Sequence, residues 1–207
     1  MRSKVFVAVH WFIFSVLKTT VRVECPAATR AEIAACPRVI FANLNQLSHL
    51  GNLGVVLALD EIAEHRPVPF VTNIEWFLVP VVGWLAPPSM VIVRQWPWQA
   101  RVIMTRLALR LKEERVRRVY ISVEGARRSH PSHRLPFKKG VAHLALQGDA
   151  VIVPVIMGRS CCDSVLPSNW WETTRRTISY RFLAPLQTRG KTANQICEEL
   201  RALDHEF

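Results

Sequence analysis

The chain is poor in cysteine, and the cysteines it has form no framework. Five is an odd number, their spacing is irregular and two are adjacent, which excludes a disulfide scaffold and a CxxC-type zinc site. We therefore expect free thiols in a reducing compartment. His130 and His133 lie in a loop segment without a third ligand, so we expect solvated histidines and no metal. The cysteines are Cys25, Cys36, Cys161, Cys162 and Cys197.

The sequence also has no uninterrupted apolar run of about 20 residues, the length that a membrane-spanning helix needs. The nearest approach is the segment Met1–Leu17, in which Arg2 and Lys4 precede an apolar and aromatic run. No small-residue cleavage site follows it, as one would after a signal peptide. Residues 1–20 are predicted to form an N-terminal helix that lies in the membrane interface or packs on the domain's own core.

Acidic residues are scarce compared with basic ones. The 27 Lys and Arg exceed the 16 Asp and Glu, which gives a net charge of +11 and a pI near 10.2. This excess favours an anionic partner, whether a membrane surface, a phosphorylated ligand or nucleic acid, over a surface kept basic for solubility. Seven Trp and nine Phe accompany the charge, and aromatic residues beside arginines are typical of a lipid interface.

Much of the positive charge lies in one stretch between residues 101 and 118. Aromatic side chains do not interleave with these cations and no recognition motif is present, so we expect no nucleic-acid partner. A solvated helix face or a surface facing anionic lipid is the expected role. The cations are Arg101, Arg106, Arg110, Lys112, Arg115, Arg117 and Arg118.

The remaining sequence is that of a packed α/β domain. Half of the residues are hydrophobic, and 207 residues are enough for one domain with a sizeable core. Residues 21–207 alternate between apolar runs of strand length and segments of helical periodicity, which predicts a single domain with a largely parallel mixed sheet flanked by helices. Strands are predicted at 21–23, 38–42, 68–71, 90–93, 119–123, 150–155 and 177–182, and helices at 27–35, 50–65, 74–78, 97–115, 140–146 and 193–203.

Four segments of this domain form an ordered set of motifs. The first is Asn45–Gly51, and the second runs from Pro80 to Arg94 and begins with a Pro-x-x-Gly-Trp stretch. The third is Val123–Ser129, followed by Pro-Phe-Lys-Lys-Gly, and the fourth is Ile152–Val155. Together they resemble the blocks of the glycerolipid acyltransferase family, whose best-known members acylate 1-acylglycerol-3-phosphate. The third block is the most specific of the four.

The first block departs from the family pattern Asn-His-x-Ser-x-x-Asp at both catalytic positions. Gln46 stands where the family has the His that acts as general base, and Gly51 stands where it has the Asp that orients the His. A neutral amide cannot take a proton from an alcohol, and losing such a base costs about two to four powers of ten in rate. Starting the motif at Asn43 restores neither residue. His49 is the imidazole nearby, either a displaced base or a polar residue of the pocket wall.

The other blocks keep residues suited to an anion. Arg94 and Arg127 each follow a predicted strand, at the carboxyl edge where open α/β sheets bind ligands. Arginine holds phosphate oxygens with two donors, so these residues are either ordinary loop cations or, as the resemblance implies, the pocket for a phosphorylated head group. The resemblance adds Ser48, Glu124, Gly125 and Lys138 to this pocket.

The resemblance implies a protein that handles an acyl thioester, carried by coenzyme A or an acyl carrier protein, together with a phosphorylated, hydroxyl or amine acceptor. No other cofactor is expected. The rival interpretation is a catalytically inactive lipid- or acyl-binding module, that is, a regulatory pseudoenzyme. Expected partners are a membrane surface or anionic lipid and an acyl carrier protein. The expected location is cytoplasmic and peripheral to the membrane.

Overall fold

The computed structural model describes Ser15 and residues 19–45, 49–63, 68–72, 91–92, 97–125, 135–158 and 176–205. Within these ranges the helices are α1 (Ala27–Ala35), α2 (His49–Ile62), α3 (Pro97–Lys112), α4 (Gly140–Gly148) and α5 (Ala193–His205). The strands are β1 (Thr19–Glu24), β2 (Val39–Asn43), β3 (Val71–Thr72), β4 (Val91–Ile92), β5 (Arg118–Ser122), β6 (Val151–Met157) and β7 (Arg176–Phe182). None of the described helices is long and apolar enough to cross a membrane.

The predicted alternation of strands and helices is confirmed as a single α/β domain. The helix predicted at residues 27–35 has those bounds. The basic helix predicted to reach residue 115 is shorter, because α3 ends at Lys112 and Glu114 adopts a left-handed conformation with φ 57° that cannot continue a helix. The helix predicted within residues 1–20 does not reach residue 20, because Thr19 and Thr20 already belong to β1. Its remaining residues, apart from Ser15, lie outside the described residues, as does the predicted helix at 74–78.

The sheet is mixed but mostly parallel. Its central strands have the order β1-β7-β6-β2-β5, in which β2 is parallel to both of its neighbours and β1 is parallel to β7. The pair β6 and β7 is antiparallel. The parallel pair β3 and β4 adjoins β5 through a bridge between Phe70 and Tyr120, where Tyr120 N–H donates to the carbonyl of Pro69 at 2.8 Å.

Alternate residues of each strand pack on opposite faces of this sheet. On one face, Phe41 of β2 belongs to a core with Leu59 and other residues of α2, and its ring meets Phe182 edge-on at a centroid distance of 6.0 Å. On the other face, Ile40 belongs to a core with residues of α3, α4 and α5, among them Leu111. This alternation is what a sheet covered by helices on both faces requires.

The strand directions bring three chain segments to one edge. Because β5, β2 and β6 are neighbours and parallel, their carboxyl ends lie side by side. The chain leaves this edge at Leu44 after β2, at Val123 after β5 and at Gly158 after β6. Asn45 of the first block and residues 123–125 of the third therefore lie at the sheet edge where ligands of open α/β sheets bind, and the fourth block lies within β6 beside them.

Candidate active site

Backbone hydrogen bonds extend the central ladders beyond the ends of the strands. Val123 N–H donates to the Asn43 carbonyl at 3.0 Å, and Leu44 N–H donates to the Val155 carbonyl at 2.9 Å. These bonds fix Val123 to the end of β2 and Leu44 to β6. The carboxyl edge of the sheet is thus a hydrogen-bonded rim, and the candidate site lies along it.

Asn45, the first residue of the first block, anchors this rim through its side chain. Its Oδ1 accepts the Met157 N–H at 2.7 Å, and its Nδ2 donates to the Met157 carbonyl at 2.8 Å. The amide therefore pairs with β6 as a backbone strand would, and it is 7% exposed. Because Asn45 uses both of its polar groups in this way, it holds the chain at the point where Gln46 follows in sequence.

A cluster of polar side chains lies beneath this rim on the α2 face of the sheet. Asn43 is the register partner of Ser122, and Tyr120 precedes Ser122 on the same face of β5. The buried atoms Asn43 Nδ2, Tyr120 OH and Ser122 Oγ make no hydrogen bond of good geometry within the described residues. Burial raises the pKa of the Tyr120 hydroxyl, and the neighbouring Asn43 side chain lowers that pKa by less. Tyr120 is therefore a neutral hydroxyl and not a base.

Glu124 of the third block is a buried carboxylate with a structural contact. It is 1% exposed, and one of its oxygens accepts the Leu135 N–H at 3.1 Å. Lys138 N–H donates to the carbonyl of Val123 at 2.8 Å. These two bonds hold residues 123–124 against residues 135–138 at the sheet edge. The segment that contains Arg127 therefore begins and ends at this edge.

Gly125 and Lys138 form the best-defined part of the site. Gly125 has φ +64°, a left-handed conformation that side chains rarely adopt. A Cβ at this position would lie 3.0 Å from both Cδ and Nζ of Lys138, so the lysine side chain crosses directly over the glycine. The backbone conformation thus favours glycine here, and a Cβ would also displace the Lys138 side chain from its place over the backbone.

Of the nine residues that the sequence assigns to the site, the structure brings together Glu124, Gly125 and Lys138. For His49 and Gly51 it describes the backbone, at the first and third positions of α2. The remaining four lie outside the described residues: Gln46, Ser48, Arg94 and Arg127. In sequence, Gln46 follows the anchored Asn45, and Arg94 stands two positions beyond the end of β4.

The sequence interpretation missed the anchoring role of Asn45 and the whole polar cluster. A signal for the cluster was available, since Asn43 and Ser122 are polar residues that follow the apolar middle of two strands. The role of Asn45 had no such signal, because its partner Met157 is 112 positions away in the chain.

The described thiols are protonated at neutral pH. Burial raises the pKa of Cys25, Cys36 and Cys197, so each remains a protonated thiol. Within the described ranges no three His, Cys, Asp or Glu side chains come close enough to hold a metal ion, although His130 and His133 lie outside those ranges.

The sequence of the chain is similar to those of known acyltransferases. The acyltransferase family model matches residues 49–158, just over half of the chain. The 1-acyl-sn-glycerol-3-phosphate acyltransferase alpha of Mus musculus is 33% identical over 113 residues, which are 55% of this chain and 38% of the mouse protein. The 1-acyl-sn-glycerol-3-phosphate acyltransferase of Saccharomyces cerevisiae is 29% identical over 123 residues, 58% of this chain and 40% of the yeast protein. The chain thus spans about two fifths of the length of these relatives.

The fold also has a counterpart among solved structures. The crystal structure of a 1-acyl-sn-glycerophosphate acyltransferase from Thermotoga maritima superposes with a TM-score of 0.69, covering 99% of this chain and 77% of that one. The sequence identity is 17%, so this likeness concerns the fold.

Proposed function

Because the chain belongs to the glycerolipid acyltransferase family, we propose that it transfers an acyl group from a thioester to an acceptor through a non-standard active site. The acceptor carries a phosphate, as in the 1-acylglycerol-3-phosphate named for the relatives, and a hydroxyl or amine that attacks. The observation that carries this proposal is the placement of Lys138 over Gly125, beside Glu124, at the carboxyl edge of the sheet.

The proposed division of labour follows from the chemistry of each residue. Lys138, Arg94 and Arg127 bind the phosphate of the acceptor, because cations with several N–H donors suit phosphate oxygens. Family resemblance assigns Ser48 to the same pocket, and Glu124 accepts a hydrogen bond from Leu135, beyond the segment that contains Arg127. The donor is a thioester of coenzyme A or of an acyl carrier protein, whose carbonyl carbon the acceptor attacks while the C–S bond breaks and the thiol leaves with a proton.

The weak point of this site is proton removal. Gln46 offers no basic nitrogen and Gly51 no orienting group, so His49 takes the proton, or an amine acceptor attacks with little help from a base. The second candidate function follows from the same residues: the binding part of the site is kept while the catalytic pair is replaced. In that case the protein binds lipid or acyl chains without turning them over.

We propose further that the protein works at the cytoplasmic face of a membrane as a peripheral protein. The net charge of +11 and the apolar, aromatic run within residues 1–17 support this location. An acyl carrier protein is the other proposed partner. An acidic carrier would be attracted by the net charge of +11 on this chain.

An assay of thiol release from acyl thioesters tests the two functions against each other. The acceptors are 1-acylglycerol-3-phosphate, its dephosphorylated form and a long-chain amine. Turnover that requires the phosphate and falls at least tenfold in His49→Ala supports the displaced base, whereas saturable lipid binding without any thiol release supports the binding module.

The sharper variant restores the family residues as Gln46→His with Gly51→Asp. If the rest of the site is kept, activity should rise by about two to four powers of ten, the usual contribution of a general base. The matched control is Gln46→Asn with Gly51→Ala, which changes the same positions without adding a base and should leave activity at its original level. An inactive Gln46→His, Gly51→Asp variant that is folded would contradict the proposed acyl-transfer site.

A further inference from the structure

The outer face of α3 has an apolar line that no other part of the described chain covers. Val102 is 44% exposed and Leu109 is 52% exposed, and these are the exposed large hydrophobic side chains among the described residues. They are seven positions apart, two helical turns, and therefore lie on the same side of the helix. The opposite side, with Leu107 and Leu111, is buried in the core shared with α4, so the helix cannot turn its apolar line inward.

Cations flank this apolar line on both sides. At 3.6 residues per turn, Arg101 and Lys112 lie along one side of the line, and Arg106 and Arg110 lie along the other. All four side chains are exposed. None of the ion pairs between described residues includes any of them.

Elsewhere in the described chain, surface cations are mostly matched with acids. Arg30 pairs with Glu61 at 2.7 Å, Arg38 pairs with Asp149 at 2.6 Å and Lys191 pairs with Glu199 at 2.6 Å. At the end of the basic stretch, Arg115 and Arg117 also have acidic neighbours in contact. Among the described residues, α3 thus carries more cations outside ion pairs than any other helix or strand, and an anionic partner would be attracted to it.

We propose that the outer face of α3, formed by Arg101, Val102, Arg106, Leu109, Arg110 and Lys112, docks on a bilayer that contains anionic lipid. A basic helix with an apolar centre lies in a membrane interface with its apolar side chains among the acyl chains and its cations at the phosphates. A nucleic acid would be matched by the cations alone and would leave Val102 and Leu109 unused. The inference deepens the proposed peripheral membrane function and rests on it for the choice of partner.

The position of α3 suits a protein whose acceptor is a lipid. α3 begins at Pro97, five residues after the end of β4, and the carboxyl end of β4 lies on the same side of the sheet as those of β2 and β5. The proposed docking face therefore starts near the sheet edge where the site is built. A lipid acceptor would have a short path from the bilayer to Lys138.

Co-sedimentation of the full chain with vesicles tests the proposal. The vesicles are phosphatidylcholine alone or phosphatidylcholine with one quarter phosphatidylglycerol. We expect binding that needs the anionic lipid and is about 25-fold weaker in Arg106→Gln with Arg110→Gln, since each cation near such a surface contributes about fivefold. Val102→Ser with Leu109→Ser should weaken binding at high salt as well, because the lost apolar contact is not screened.

A matched control removes the same charge from another surface. Arg22→Gln with Arg189→Gln replaces two exposed arginines, 69% and 87% exposed in their side chains, and should change vesicle binding less than twofold. If the α3 variants bind as this control does, α3 is not the docking face, although the membrane proposal stands. If the unaltered chain binds no vesicles, both the docking face and the peripheral location are wrong. Acyl transfer is tested separately, by thiol release with a short-chain acceptor that is monomeric in solution.

A polyanion provides the last discrimination. One pair of results would overturn the membrane assignment. In that case heparin binding falls in the arginine variant, and Val102→Ser with Leu109→Ser changes neither heparin binding nor vesicle binding. The face would then recognise charge alone.

Discussion

At the scale of single residues, Gly125 is a position where any side chain would be strained. Gly125→Ala introduces a Cβ in a left-handed conformation and against the Lys138 side chain, whose Cδ and Nζ lie 3.0 Å from the position of that Cβ. We expect a loss of about 1–3 kcal/mol in the free energy of unfolding and weaker binding of a phosphorylated acceptor, because Lys138 must move away. Urea denaturation and a binding titration measure the two effects.

Gly140 is the matched control for this substitution. It begins α4, and nothing lies within 4 Å of where its Cβ would be. Gly140→Ala should therefore be neutral or stabilising by up to about 1 kcal/mol. Equal effects of the two substitutions would show that the close approach at Gly125 is unimportant.

The paired hydrogen bonds of Asn45 support a prediction that depends on pH. In Asn45→Asp the ionised carboxylate still accepts from the Met157 N–H, but it has no donor for the Met157 carbonyl and repels it. The ionised form is disfavoured in the folded state, so the folded pKa of the introduced Asp lies above its unfolded value. The loss of stability is then greatest above that folded pKa and shrinks as the pH falls through it.

Asn45→Ala serves as the reference for this effect. It leaves the Met157 N–H and carbonyl without their side-chain partners and should cost about 1–3 kcal/mol. That cost should stay nearly constant with pH. Urea denaturation of both variants between pH 4 and pH 8 measures the difference, and parallel pH profiles of the two would contradict the proposed geometry of the Asn45 amide.

At the scale of elements, α5 has a complete N-terminal capping box. Thr192 Oγ1 accepts the Gln195 N–H at 3.3 Å, and Gln195 Oε1 accepts the Thr192 N–H at 2.8 Å. Thr192→Ala should lower the free energy of unfolding by about 1 kcal/mol. It should leave ligand binding unchanged, because α5 and α2 pack on opposite faces of the sheet. Thr192→Ser keeps the cap and should retain most of that stability in the same denaturation measurement.

The elements were the part of this structure that the sequence predicted best. The sequence predicted α1 with its observed bounds and a strand at the place of every described strand, most directly at β2 and β6, where burial on both faces of the sheet imposes apolar runs. The predicted end of α3 was wrong by three residues. A left-handed residue after a helix is usually a glycine, and here it is Glu114, which the sequence pattern does not mark. The antiparallel pairing of β6 with β7 was also beyond the sequence, as it depends on how the chain crosses between strands.

The candidate site was predicted from strand ends and from family resemblance together. Arg94 and Arg127 were assigned because each follows a predicted strand, whereas Glu124, Gly125 and Lys138 were assigned by resemblance. Glu124 and Gly125 follow β5 after one residue, at the edge to which parallel neighbours bring such residues, and Lys138 crosses the space over Gly125. The pairing of Asn45 with Met157 and the burial of Asn43 beside Tyr120 are long-range contacts, and local pattern carries no information about them.

At the scale of the whole molecule, ligand binding and stability are linked. A phosphorylated ligand that binds only the folded chain raises its free energy of unfolding by about 2.7 kcal/mol at a hundred times its dissociation constant. For a chain of 207 residues this corresponds to a rise of roughly 5–10 °C in Tm. The measurement requires no turnover, so it applies equally to an enzyme and to a binding module.

Two adjacent lysines make this prediction specific to the site. Lys138 and Lys139 are both exposed, but it is Lys138 whose side chain crosses Gly125. Lys138→Gln should weaken binding of 1-acylglycerol-3-phosphate about tenfold and so reduce its Tm shift by roughly half, whereas Lys139→Gln should leave the shift unchanged. The dephosphorylated lipid should stabilise both variants and the unaltered chain equally, because Lys138 acts on the phosphate. A Tm shift that is the same in all three proteins with the phosphorylated lipid would place the anion elsewhere.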